Sequence, residues 1–209
     1  MTRNGVKPPQ APRFPRIVFV LAAWLGAASI AATTGLLARA PIPPPAIAWL
    51  LTGAVLLALW LSPGARAQSR SLGPGPLVGF HLTRLLAGAY FLVLYRRGVL
   101  PADFALVAGW GDIAVGVGAL LVLGFCIPVR TTTRRYSLLL WNAFGLADIL
   151  LVLGNGIRLF LNDPGLAAPF TTFPLALLPT FVVPLVIVSH IVLFGWYARG
   201  SPTMEAARE

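Results

Sequence analysis

The sequence predicts an all-α integral membrane protein, a bundle of six transmembrane helices with both termini in the cytoplasm. Three observations predict this fold class. Of the 209 residues, 57% are hydrophobic and only 11% are charged, whereas a soluble domain carries roughly 25% charged residues. Six apolar stretches are long enough to cross a bilayer, and the basic residues are concentrated in the segments predicted to lie on one side of it.

The apolar stretches define the predicted spans, because a bilayer core about 30 Å thick needs roughly 20 apolar residues per helix. The spans cover residues 17–38, 46–61, 77–99, 102–126, 136–160 and 174–197. Segments rich in proline and glycine separate them and leave no room for a soluble domain. We therefore predict a basic, disordered cytoplasmic N-terminus (1–16), one six-helix transmembrane domain (17–198) and a cytoplasmic tail (199–209).

The first span is predicted to stay in the membrane and not to be cleaved as a secretory signal. Ala38-Arg39-Ala40 has the small-x-small pattern of a cleavage site. The apolar stretch before it, however, is longer than the roughly 7–15 residues of a signal's apolar region, and Pro41 directly after it hinders cleavage.

The sixteen basic residues predict the orientation. Eleven lie in the N-terminal segment, the second loop, the fourth loop and the tail: Arg3, Lys7, Arg13, Arg16, Arg66, Arg70, Arg130, Arg134, Arg135, Arg199 and Arg208. Four lie on the opposite side: Arg39, Arg96, Arg97 and Arg158. By the positive-inside rule the richer side faces the cytoplasm. The compactness of the chain and its simple N-terminus predict a multi-pass protein of a bacterial inner membrane. Because the net charge of +10 is spread over loops and forms no patch, we expect no nucleic-acid partner.

Six polar residues within the spans form the candidate site. They are His81, Arg84, Asp112, Asn142, Asp148 and His190. Ionisable groups at membrane depth cost at least about 2.5–3.5 kcal/mol each on insertion scales, so they are rare without a role. At 1.5 Å rise per residue, both aspartates come about 16–18 Å from the cytoplasmic boundary, His81 about 6 Å, and Arg84 and His190 about 10 Å. The six side chains can therefore meet in one bundle, where Arg84 can pair with either aspartate.

Two local patterns accompany the candidate site. Gly109-x-x-Asp112-Ile113 and Gly145-x-x-Asp148-Ile149 place one carboxylate each on the fourth and fifth spans. The match is too short to indicate duplication. In the sixth span, Pro179 and Pro184 remove helix hydrogen bonds and are predicted to free carbonyls near positions 175 and 180.

These features support three hypotheses of function. The first is a proton- or cation-coupled transporter of a small molecule, which at six spans is expected to be a homo-oligomer. The second is a membrane-embedded enzyme or redox protein that uses a metal or haem, although no metal-ligand spacing occurs and no cofactor is identified. The third is a non-catalytic assembly component in which the polar cluster only fixes helix packing. The sequence contains no nucleophile-elbow pattern, so a serine hydrolase is not indicated.

Overall fold

Helices form nearly all of the regular structure in residues 16–40 and 42–199, which are the residues that the computed structural model describes. No strand occurs among them, so the predicted all-α class is confirmed. The predictions for the disordered N-terminus and for the cytoplasmic tail lie almost wholly outside the described residues.

Ten α-helices are present in this part of the chain. They are α1 (Arg16–Thr33), α2 (Leu36–Arg39), α3 (Pro44–Leu61), α4 (Pro63–Ser71), α5 (Pro74–Phe80), α6 (Thr83–Arg96), α7 (Ala102–Leu121), α8 (Thr132–Asn162), α9 (Pro164–Ala167) and α10 (Val183–Ala198). A π-helical segment, Val122–Cys126, continues α7, and a second one, Leu178–Val182, precedes α10. A 3₁₀ turn covers Ala168–Thr171.

Five helical segments are long and apolar enough to cross a membrane. They are Pro44–Leu61, Pro74–Arg96, Ala102–Cys126, Thr132–Asn162 and Leu178–Ala198. The predicted first span is also helical, but its apolar part, Ile17–Thr33, is shorter than the others. Two residues after its end, Gly35 adopts a left-handed backbone with φ of 72°, a conformation that commonly follows the end of a helix.

Several boundaries differ from the predicted ones, because prolines and hydroxyl residues begin helices here as well as ending them. Residues 63–71 lie in the predicted break between the second and third spans, but they form α4. At the start of this helix, Ser62 Oγ accepts a hydrogen bond from Ala65 N. Thr131 caps α8 in the same way, so this helix begins four residues before the predicted position 136. Both residues supply the acceptor that the free N–H groups of a first helical turn require.

Many large apolar side chains lie on the outside of the bundle, and charged side chains lie inside it. Leu86, Phe19 and Leu161 are 77%, 73% and 73% exposed, whereas Arg84 is only 2% exposed. Large apolar side chains facing outwards are unfavourable in water and favourable in lipid. This bundle is therefore compatible with an integral membrane protein.

The last span is interrupted at one of the two positions that the prolines predict. The carbonyl of Leu175 still accepts a hydrogen bond from Leu178 N at 3.0 Å, whereas that of Thr180 is released from the helix. The π-helical segment Leu178–Val182 contains Pro179, and Pro184 has no N–H to give to the carbonyl of Thr180 four residues earlier. Trp24 of α1 donates its indole N–H to that carbonyl at 2.9 Å, and its ring packs edge-on against Phe181. The freed acceptor is thus the point at which α1 attaches to the rest of the bundle.

Candidate functional site

A break between α5 and α6 places the first residues of the site. His81 and Leu82 lie between the two helices, where the bonds His81 N to Val78 O (3.0 Å) and Arg84 N to His81 O (3.1 Å) span three residues. This is the tighter 3₁₀ pattern, which commonly marks a bend within a helix. Arg84 consequently lies in the first turn of α6 with its side chain buried.

A contact between backbones brings Asp112 of α7 next to Arg84. An added Cβ at Gly88 would lie 2.5 Å from the carbonyl oxygen of Gly109, so α6 and α7 can approach this closely only because both positions are glycine. Asp112 is one turn beyond Gly109 and Arg84 one turn before Gly88. The antiparallel crossing therefore sets the two charged side chains at the same level.

The guanidinium of Arg84 uses each of its three nitrogens for a different acceptor. Nε donates to Asp112 Oδ1 at 2.5 Å, Nη1 donates to the carbonyl oxygen of Gly145 at 3.1 Å, and Nη2 donates to Asp148 Oδ2. The two carboxylates come from different helices, α7 and α8. A planar fork with fixed N–H directions suits this arrangement, which a lysine ammonium cannot reproduce. We call Arg84, Asp112 and Asp148 the ion network.

The ion network carries an excess of negative charge. Among the described residues, the buried formally charged side chains are Arg84, Asp112 and Asp148, and the other buried polar side chains are neutral or histidine. One guanidinium opposes two carboxylates, so the network sums to −1 when all three are ionised. An uncompensated charge in a medium of low dielectric is costly, so this arrangement favours the uptake of one proton or one monovalent cation.

An imidazole pair lies beside the ion network. The rings of His81 and His190 are fully buried, with centroids 4.2 Å apart. The indole of Trp141 packs against both, at 5.2 Å from His81 and 5.8 Å from His190. The pair is thus held by α10, by α8 and by the break before α6.

Hydrogen bonds assign the state of each ring. Asn142 Nδ2 donates to the carbonyl of His190 at 3.1 Å, so Asn142 Oδ1 must accept from His190 Nδ1 at 2.8 Å. Ser189 Oγ donates to Val186 O at 2.8 Å and lies 3.0 Å from His81 Nε2. The remaining nitrogens, His81 Nδ1 and His190 Nε2, are buried without a partner among the described residues. A second N–H on either ring would have no acceptor, so the neutral imidazoles fit this packing.

Gly145 joins the imidazole pair to the ion network. Its carbonyl accepts from Arg84, while an added Cβ would lie 2.6 Å from Cε1 of His190. All six predicted site residues thus lie in two connected groups, with Arg84, Asp112 and Asp148 in one and His81, Asn142 and His190 in the other. The Gly-x-x-Asp pattern places the carboxylates, but it does not reveal that Gly145 supplies both an acceptor and the space for a ring.

Trp141 and Ser189 also contact the imidazole pair, although neither is among the six predicted site residues. The ring of Trp141 covers both imidazoles. Ser189 of α10 lies within hydrogen-bond distance of His81, in the break between α5 and α6. Neither contact leaves a signal in the sequence, because each depends on how α8 and α10 pack against that break.

The geometry of the site differs from three particular catalytic arrangements: a haem with two axial histidines, a metal centre and a serine triad. Two axial histidines lie on opposite faces of a haem, but these rings are in direct contact and leave no space for a porphyrin between them. No group of three or more His, Cys, Asp or Glu that could hold a metal occurs in residues 16–40 and 42–199. Although Ser189 contacts His81, no carboxylate orients that imidazole, so the orienting member of a nucleophile–base–acid triad is missing.

The fold and the site together define the class: an apolar helical bundle with a buried Arg/Asp/His cluster. The chain belongs to the family described as a domain of unknown function (DUF8737), whose model matches residues 41–197. This range includes all six site residues. The comparison with curated proteins found no match, and neither did the comparison with solved structures.

Proposed function

We propose that this protein crosses a bacterial inner membrane six times, with both termini in the cytoplasm. The five long apolar helical segments and the shorter Ile17–Thr33 support six crossings, and the excess of basic residues in alternate loops supports the orientation. A reporter fused after Arg70 is expected to give a cytoplasmic signal. An external signal at that position would reverse the proposed topology.

Within this topology, the proposed function is proton- or cation-coupled transport of a small molecule. The observation that carries the proposal is the −1 charge of the ion network, which a single bound proton or monovalent cation neutralises. A site that is stable only when such an ion is bound can couple the ion's entry and exit to a change in helix packing.

Two features of the helices favour movement around this site. The last span is broken by its π-helical segment, and the third span is bent at His81 and Leu82. Interrupted helices line substrate and ion sites in many transporters, because a break leaves backbone groups free and provides a hinge. Six spans are few for a carrier that works alone, so the proposal includes a homodimer.

Charge movement in reconstituted vesicles tests this function without knowledge of the substrate. Wild-type proteoliposomes on a solid-supported membrane are expected to give a transient current on a jump in the concentration of H⁺, Na⁺ or K⁺. Asp112→Asn and Asp148→Asn each leave the guanidinium of Arg84 opposite a single carboxylate, so the network has no net charge. Both variants are therefore expected to lose the current. The ion that produces the current identifies the coupling ion.

Asp103→Asn is the matched control for this experiment. It makes the same chemical change on α7, but Asp103 pairs with Arg158 and both side chains are about half exposed. It is expected to retain the full current. The transport proposal is contradicted when wild-type vesicles give no current with any of the three ions, or when both Asn variants in the network carry as much charge as wild type.

A further inference from the structure

An apolar cavity leads away from the ion network. It has a volume of about 70 Å³ and lies between α3, α6, α8 and the break in the last span. Arg84 and Asp112 form its polar end, and nearly all the other side chains around it are apolar. Because Arg84 Nε engages Oδ1 of Asp112, Oδ2 of this carboxylate is left for another donor.

Aromatic rings form part of the cavity wall. Phe91, Phe104 and Phe170 pack against one another, with ring centroids 5.3–6.4 Å apart, and all three line the cavity. Phe104 lies eight residues from Asp112 along α7, about 12 Å at 1.5 Å rise per residue. The rings therefore form the apolar end of the cavity, opposite the ion network.

The net charge at the polar end of the cavity determines the sign of the charge that a ligand should carry. The charged and titratable groups near Asp112 are Arg84 from α6, Asp148 from α8, and the neutral imidazoles of His81 and His190. They sum to −1, and α3 contributes no charged residue. A monovalent cation removes the excess charge, whereas an anion would double it.

The volume limits the size of the ligand. An apolar cavity of about 150 Å³ holds benzene, so about 70 Å³ accommodates roughly three non-hydrogen atoms by the same measure. The propyl chain of a propylammonium ion has this size, and its ammonium group supplies one positive charge for the network.

From these observations we propose that the cavity binds small primary alkylammonium ions, with the ammonium group at Asp112 and the alkyl chain along the apolar side chains of the adjoining cavity wall. This proposal rests on the transport function above and names its substrate class. The ammonium takes the place of the proton or cation that otherwise neutralises the network. No covalent bond forms or breaks, and the displaced ion leaves with its charge, so the two species are exchanged one for one.

Calorimetric titration of the purified full-length protein tests the ligand class. Propylammonium is expected to bind, whereas propionate and propanol, which match its chain but carry negative or no charge, are expected to bind at least about tenfold more weakly. Asp112→Asn is expected to abolish the preference for the cation. Saturating propylammonium is also expected to suppress the ion-jump current of wild-type vesicles.

A steric variant tests whether the chain lies in this cavity. Ala87 lines the cavity one turn from Arg84, beside the polar end. Ala87→Val should therefore fill part of the space next to Asp112 and lower propylammonium affinity about tenfold. The control is Ala89→Val, the same change at an exposed position of the same helix.

The two proposals fail in distinguishable ways. The alkylammonium proposal is overturned by equal binding of propanol or propionate, or by unchanged propylammonium binding in both Asp112→Asn and Ala87→Val. If the ion-jump current persists and depends on the two aspartates under those circumstances, the transport function stands with another substrate. Absence of the current itself overturns the transport function.

Discussion

Replacing Arg84 with methionine is expected to remove most of the folded protein from the membrane. Methionine approximates the length of the side chain but leaves Asp112 and Asp148 buried with no cation between them. Removing one partner of a buried ion pair costs about 3–5 kcal/mol, a large part of the roughly 5–15 kcal/mol that stabilises a typical protein. The yield of monodisperse protein after detergent extraction and its melting temperature measure the effect.

Two companion variants separate the loss of charge balance from the loss of a side chain. Arg158→Met breaks the exposed pair with Asp103 and is expected to change the melting temperature little, because exposed ion pairs contribute little. Arg84→Met combined with Asp112→Asn and Asp148→Asn leaves no charge in the network and is expected to recover much of the folded yield. A single Arg84→Met variant as stable as Arg158→Met would contradict the charge argument.

The second large effect is expected for Gly88→Ala. The new methyl group would lie 2.5 Å from the carbonyl oxygen of Gly109 and 2.9 Å from Ile113 Cγ1. A backbone oxygen cannot rotate away as a side chain can, so α6 and α7 must separate. Overpacking of this kind costs about 1–3 kcal/mol, and the separation also pulls Arg84 away from Asp112. We expect both a lower melting temperature and a weaker ion-jump current.

Gly79→Ala is the matched control, since Gly79 lies in the same membrane-spanning segment and an added Cβ there meets nothing within 4 Å. Alanine favours a helix by up to about 1 kcal/mol relative to glycine, so this variant should be as stable as wild type or more so. If the two alanine variants melt at the same temperature with equal currents, the close approach of α6 and α7 does not position the network.

Much of the site was accessible to sequence reasoning because membrane depth is a simple function of residue number along a helix. Counting residues placed Asp112 and Asp148 at one level and suggested that Arg84 could reach either. That it reaches both, and Gly145 as well, depends on the rotation of each helix about its axis. Rotation leaves a weak signal in sequences that are apolar on every face.

The apolar composition and the lengths of the apolar runs by themselves determined that this chain is a helical bundle compatible with a membrane, because lipid admits few other backbone arrangements. They also singled out the few polar side chains that such a bundle must bury. Only the tertiary structure decided that these form an ion network of charge −1 beside a neutral imidazole pair, with an apolar cavity at one end. The physical reason is that charge balance, ring contacts and cavities arise between helices, where crossing angle and rotation determine which atoms meet.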